Sequence, residues 1–268
     1  GAALRFLTAF FASQPGAEVR LTGCERLCQR PMQPLVDALR QCGAIIEYLD
    51  KEGFAPLLVK GSELFGGEVT MDSTISSQFI SAILMAAPYM KSGLTLRLEG
   101  EPVSLPYILL TLYMMEQRGV TADREPLKIS IGHGSYTPSD QPEEGDWSAA
   151  ATLLVAGAVA GEVTLHNVSI LSKQADTAVC TALVRAGAEL IHEADRITVR
   201  RRPLRAFEFD ATQCPDLFPP LAALAAACEG ESLITGTSRL AHKESDRAET
   251  LREEYAKVGI EIDLSTPD

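Results

Sequence analysis

Apolar positions along the chain follow two rhythms. Ala/Leu-rich runs with helical spacing begin near Ala3, Ser76, Asp146 and Asp216, 73, 70 and 70 residues apart. After a short turn, each is followed by a run in which apolar and polar residues alternate: 18–23, 94–100, 162–167 and 231–236. The first rhythm predicts helices and the second predicts half-buried strands. Further helical stretches end in Gly before a new strand at Gly43, Gly119, Gly187 and Gly259, 76, 68 and 72 residues apart. Glycine suits the left-handed residue that closes a helix. Additional strands are expected at 57–60 and 197–200.

The unit is therefore helix, strand, helix, strand, with a further strand in places, repeated about every 70 residues. A period of this size points to one supersecondary unit duplicated around a shared core. Strands alternating with helices of this length predict an α/β fold. The segment 137–145, rich in Pro, Gly and acidic residues, predicts a boundary between two domains, 1–142 and 143–268, each holding two repeats. If the repeats gather their helix starts at one end of a domain, several positive dipole ends converge there and favour an anionic ligand.

Composition narrows the classes. The chain has 268 residues and a formal charge of −12, which argues against nucleic acid as a partner. It does not exclude a small anion held by a local Arg/Lys cluster. No uninterrupted apolar run reaches membrane-spanning length, and no signal-peptide pattern is present. The chain opens Gly-Ala-Ala-Leu-Arg without Met, which suggests a processed or truncated start. Of the six cysteines, Cys42, Cys180 and Cys228 lie in helical patterns and are expected to be small buried apolar residues. Cys24 and Cys28 lack a second ligand pair at zinc spacing. A reduced, cytoplasmic protein is expected. The four histidines form no metal-binding pattern.

Candidate chemistry concentrates at helix starts. His242-Lys243-Glu244-Ser245-Asp246-Arg247 lies between the strand at 231–236 and a helical run at 248–258. Free N–H groups at a helix start bind anions, while Lys, Glu and Arg there can neutralise one and move a proton. The same pattern also describes a solvated, charged first turn. Ser76-Ser77-Gln78-Phe79 can cap a helix or hold a phosphate. Arg26 and Arg30 precede a helix that opens with Pro31, and Arg30 occupies in its repeat the place of Lys243 to Arg247 in theirs. Asp146 suits an N-cap, and Asp216 suits either an N-cap or a base.

Taken together, these pieces resemble the EPSP synthase family of 3-phosphoshikimate 1-carboxyvinyltransferases. The resemblance rests on Gly1-Ala2-Ala3-Leu4-Arg5, Leu21-Thr22-Gly23, Gln29-Arg30-Pro31 and Leu35-Val36-Asp37-Ala38-Leu39. It continues through Ser76-Ser77-Gln78-Phe79, Val103-Ser104-Leu105-Pro106-Tyr107, Glu144-Gly145-Asp146, Pro215-Asp216 and Lys243-Glu244-Ser245-Asp246-Arg247, in order along nearly the whole chain. It implies an inside-out α/β barrel of the enolpyruvyl transferase type, with two domains of three repeats each that close on the substrates. It implies transfer of the enolpyruvyl group of phosphoenolpyruvate to the 5-hydroxyl of shikimate 3-phosphate, by a monomer needing no metal and no organic cofactor.

The resemblance also implies the roles of individual residues. Ser76, Ser77, Gln78 and Ser104 would contact shikimate 3-phosphate, with Tyr107 beside them. Gly1, Arg30 and Arg247 would hold phosphoenolpyruvate, and Gln78 would lie between the two ligands. Asp216 would take the hydroxyl proton, Glu244 would handle the proton at the methylene carbon, and Lys243 would stabilise charge. Departures from the family pattern are Ala2 for a usual Thr, Leu105 where Lys is common, and Arg239 where Asn is frequent. About four of six repeats are expected, with truncation at both ends and a weak or inactive isolated chain. Two alternatives remain. One is the related UDP-N-acetylglucosamine 1-carboxyvinyltransferase, whose reactive Cys would map near Cys24 or Cys28. The other is a non-catalytic anion-binding fragment.

Overall fold

The computed structural model describes residues 1–140, 143–240 and 245–265. The chain divides into two compact units, Gly1–Asp140 and Gln141–Asp268.

The first unit runs α1 (Ala2–Ala12), β1 (Glu18–Leu21), α2 (Glu25–Cys28), α3 (Gln33–Gln41), β2 (Ile45–Tyr48) and β3 (Leu57–Lys60). It continues through β4 (Gly67–Asp72), α4 (Ser77–Ala86), β5 (Leu94–Glu99), α5 (Leu105–Glu116), β6 (Ala122–Glu125) and β7 (Lys128–Ile131). One sheet has the order β1-β3-β2 and the other β4-β5-β7-β6. The second unit runs α6 (Trp147–Ala160), β8 (Glu162–His166), α7 (Val179–Ala186), β9 (Glu189–His192), β10 (Arg196–Arg200), β11 (Glu208–Asp210), α8 (Phe218–Ala226), β12 (Leu233–Thr235) and α9 (Arg247–Ala256). Its sheets have the orders β8-β10-β9 and β11-β12.

These orders express one topology. A helix leads into a strand, and a hairpin then returns so that its second arm pairs with that strand, as β3 does with β1, β7 with β5 and β10 with β8, all antiparallel. Where the preceding strand is also present, it pairs in parallel across a helical crossover: β4 with β5 through α4, and β11 with β12 through α8. Parallel neighbours require such a crossover, because a tight turn cannot reverse the chain twice.

Each unit packs its core on a helix that is apolar on nearly every side; α4 is buried almost all round, whereas α6 is buried along one face and leaves Leu153 exposed on the other. In α4, Phe79, Ile80, Ile83 and Leu84 are fully buried. In α6, Trp147, Ala151, Leu154 and Ala158 are fully buried. A helix without a polar face belongs inside a core, and each large side chain hidden there contributes about 1.5–3 kcal/mol. Gly157 lets α6 approach its sheet, since a methyl group at this position would sit 2.7 Å from Val199 Cγ1. Gly187 closes α7 in the left-handed conformation, with φ +93°. Among the described residues no helix is long and apolar enough to cross a membrane.

Cys42 is buried as its helical pattern predicts, whereas Cys180 and Cys228 are only half-buried. Cys214, which the helical patterns did not single out, is buried. Burial pushes the thiols of Cys42 and Cys180 up to about 11 and that of Cys214 to about 12. A raised pKa means that the folded chain keeps these protons after the unfolded chain has lost them. Stability is then fully present below the ordinary thiol value of 9.0 and falls as pH rises towards 11–12. The melting temperature is expected to drop steadily between about pH 9 and 11, and a pH titration of thermal unfolding followed by circular dichroism checks this.

Candidate active site

In the first unit the candidate residues gather where strands give way to helices. Strands β4 and β5 run in parallel with Asp72 opposite Glu99, so both end on one edge of the sheet. Ser76-Ser77-Gln78 follows the first of these strands, and Ser104 follows the second. Open α/β sheets bind ligands at such carboxyl edges. The two loops are tied together by Ser73, whose hydroxyl reaches the carbonyls of Glu99 at 2.9 Å and Gly100 at 2.8 Å. The Ser73 carbonyl in turn accepts from Val103 N at 3.1 Å.

Ser76 caps α4: its backbone is extended and its hydroxyl oxygen accepts from Gln78 N at 3.3 Å. Ser77 is buried and Gln78 is half-buried. Ser104 caps α5 in the left-handed region, at φ 52° and ψ 46°. That conformation costs a non-glycine residue about 1–2 kcal/mol, and strain of this kind collects at functional sites. The Ser104 carbonyl accepts from Tyr107 N at 3.1 Å, which places the half-buried Tyr107 on the first turn of α5.

The start of α1 lies beside this edge. Arg5 is only 3% exposed; its Nη1 donates to Gln78 Oε1 at 2.5 Å, and its guanidinium lies 5.0 Å from the centre of the Phe79 ring. A methyl group on Gly1 would collide with Arg30 Nη1 and lie 3.3 Å from Arg5 Nη1. Two guanidinium groups, a carboxamide and the N-termini of α1 and α4 therefore meet at one corner of a chain whose net charge is −12. An anion placed there gains from the charges and from the helix dipoles together.

In the second unit the parallel pair β11 and β12 plays the same part, with Asp210 opposite Thr235 at its edge. Asp216 sits in a short 3-10 turn, Pro215–Leu217, that leads into α8, and Arg247 opens α9. Arg247 Nη1 lies 2.6 Å from Asp216 Oδ1 and 3.4 Å from the Pro215 carbonyl. The cap position of α8 is Leu217 rather than Asp216. Asp246 caps α9 by accepting from Glu249 N at 3.2 Å. Lys243 and Glu244 lie outside the described residues.

Asp146 is the N-cap of α6, accepting from Ser148 N at 2.9 Å. Two further groups complete that helix start: Gln174 Oε1 accepts from Trp147 N at 2.9 Å, and the Ser148 hydroxyl donates to the buried Asp176 carboxylate. Sequence reasoning missed Asp176 and Arg5. Arg5 had a signal: it is the only charged residue in the otherwise apolar α1. Asp176 had none, because it lies in a polar connecting segment. Among the described residues no group of three or more His, Cys, Asp or Glu side chains could hold a metal ion.

The EPSP synthase (3-phosphoshikimate 1-carboxyvinyltransferase) family profile matches residues 1–266. The chain belongs to the EPSP synthase family. It is 40% identical over 266 residues to the 3-phosphoshikimate 1-carboxyvinyltransferase of Colwellia psychrerythraea and 38% identical to that of Tolumonas auensis, covering 98% of this chain in each case. The chain spans 62% of the length of these relatives. Its fold superimposes on an EPSP synthase from Acinetobacter baumannii with a TM-score of 0.72 and 26% identity, over 94% of this chain and 59% of that one. The enolpyruvyl transferase NikO from Streptomyces tendae shares the fold at a TM-score of 0.61 and 20% identity, over 87% of this chain and 55% of that one. The α/β architecture is thus that of the EPSP synthase family.

Proposed function

We propose that this chain carries binding and proton-transfer residues for moving the enolpyruvyl group of phosphoenolpyruvate to the 5-hydroxyl of shikimate 3-phosphate, with release of phosphate. The observation that carries this reading is the corner formed by Gly1, Arg5, Arg30 and Gln78 in a chain of the EPSP synthase family. Both substrates are anions, and that corner offers what an anion needs.

The division of labour follows from the residue types. In the first unit, Ser76, Ser77, Gln78 and Ser104 offer hydroxyl and amide groups to shikimate 3-phosphate, with Tyr107 beside them. Gly1 and Arg30 serve phosphoenolpyruvate, the former by leaving room where a side chain would strike a guanidinium. In the second unit, Asp216 takes the proton of the 5-hydroxyl as its oxygen bonds to the central carbon of phosphoenolpyruvate. Glu244 delivers a proton to the methylene carbon. It then removes one as the C–O bond to phosphate breaks, which restores the double bond, and the departing phosphate takes the proton held by Asp216, so that the reaction balances. Lys243 and Arg247 offset the negative charge at the reacting centre. The Arg247–Asp216 ion pair holds the two side chains in place, and Arg247 turns to phosphoenolpyruvate when that substrate arrives. No step calls on a metal or an organic cofactor, and we place the protein in the cytoplasm as a monomer.

The test is phosphate release from shikimate 3-phosphate and phosphoenolpyruvate by the protein as its gene encodes it. Turnover with shikimate 3-phosphate and none with UDP-N-acetylglucosamine is expected. Acceptance of the nucleotide sugar instead would overturn the substrate assignment, and the family match already disfavours that outcome. Tight binding of shikimate 3-phosphate without turnover would leave an anion-binding protein. Run beside it, an isolated 1–268 chain is expected to turn over weakly or not at all.

A further inference from the structure

We propose that Arg5 is a positioning residue: it fixes the carboxamide of Gln78 so that the NH2 group, and not the oxygen, is presented to the anionic substrate. This deepens the reading of Gln78 as a substrate ligand and rests on it.

A carboxamide has one accepting end and one donating end of nearly the same shape, and a free Gln side chain can present either. An anionic substrate carries only acceptor oxygens at its phosphate and carboxylate groups. The donating end binds such a ligand, whereas the accepting end would set oxygen lone pairs against oxygen lone pairs. Something must therefore choose between two orientations of similar shape.

Arg5 makes that choice. A guanidinium has five N–H donors and no acceptor. Its Nη1 lies 2.5 Å from the Gln78 carboxamide, so the atom facing it must be the oxygen, Oε1. Flipping the amide would put N–H against N–H in a place where Arg5 is only 3% exposed and water cannot intervene. The guanidinium itself also lies over the Phe79 ring, 5.0 Å from its centre. Phe79 is fully buried in α4 next to Gln78, so the anchor and its target move together. With Oε1 engaged by Arg5, Nε2 is the end left for a ligand. The same Nη1 lies 3.3 Å from the point where a Gly1 Cβ would stand, beside Arg30, so it also adds positive charge to that corner. This accounts for an arginine near the start of an apolar helix, where Leu or Met would pack without the cost of burying a charge.

The experiment is a double-mutant cycle in the protein as its gene encodes it, with Arg5→Met, Gln78→Met and both together, read as KM for shikimate 3-phosphate and kcat separately. Arg5→Met is expected to raise KM about tenfold, with kcat changed less than about threefold, the pattern of a lost binding interaction. In the Gln78→Met background the same change is expected to do almost nothing, because its target is gone. Arg5→Lys, which still offers a donor, is expected to recover most of the affinity. If the losses from Arg5→Met and Gln78→Met multiply, Arg5 acts independently of Gln78, and if KM stays within about twofold it plays no part in binding; either result overturns the proposal. A second measurement does not need the variants to fold. With 15N-labelled glutamine in the unmutated protein, the Gln78 side-chain NH2 signals should shift on adding shikimate 3-phosphate with phosphoenolpyruvate. Unmoved signals in a protein that turns over would overturn the proposal. If the unmutated protein neither binds nor turns over these substrates, the parent reading falls and takes this inference with it.

Discussion

Replacing Asp216 with Asn should lower kcat about a thousandfold, within the range expected when a general base is removed from its reaction. Asn matches the shape of Asp but cannot accept the hydroxyl proton. The magnitude separates this effect from unfolding. A thousandfold is about 4 kcal/mol in activation free energy. The ion pair that Asp216 makes with Arg247 has side chains 22% and 35% exposed on the Arg and Asp sides, respectively. A pair so accessible to water is worth at most about 1 kcal/mol of stability. The variant should therefore remain folded, with a melting temperature close to the original, and still bind shikimate 3-phosphate. Steady-state phosphate release together with a thermal melt checks both halves. Glu244→Gln should show a comparable loss of kcat. If Asp216→Asn retained more than about a tenth of the rate, the proton would have to leave by another route.

Truncating Trp147 to Ala should cost the second unit about 3–5 kcal/mol, the usual range for removing a large aromatic residue from a core. Trp147 is fully buried at the first turn of α6, and the residue that caps that helix immediately precedes it. Domains are typically stable by only about 5–15 kcal/mol, so this loss is a large fraction of the total. Trp147→Phe should cost far less. The indole Nε1 is buried with no hydrogen-bond partner, a condition that costs about 1–3 kcal/mol, and Phe removes the N–H along with part of the ring. Urea unfolding followed by circular dichroism separates the two variants. Equal losses would show that the volume removed does not set the cost at this position.

Much of the fold was legible because it is local. The period of the apolar pattern marked the buried helices at α1, α4, α6 and α8, and the strands β1, β5, β8 and β12, with some ends shifted. The expected strands at 18–23 and 231–236 prove shorter, at Glu18–Leu21 and Leu233–Thr235. A strand ends where its pairing partner ends, and no partner is visible to a local pattern. The cysteines show the same limit: helical spacing alone could not separate fully buried Cys42 from half-buried Cys180 and Cys228.

The candidate site divides in the same way. Residue type and neighbourhood determined Ser76-Ser77-Gln78, Asp216 and Arg247 as candidates, because helix starts and charged junctions are features of adjacent residues, whereas Ser104 came only with the resemblance to the family. The motif order along the chain likewise determined the EPSP synthase family. Only the tertiary structure decided that β4 pairs in parallel with β5, and β11 with β12, so that loops far apart in sequence share an edge. It also decided that Arg247 pairs with Asp216, and that Arg5 reaches Gln78 from 73 positions away. A side chain's partner depends on how whole elements pack, and packing is a balance over the entire core. Local periodicity carries the first kind of information and none of the second.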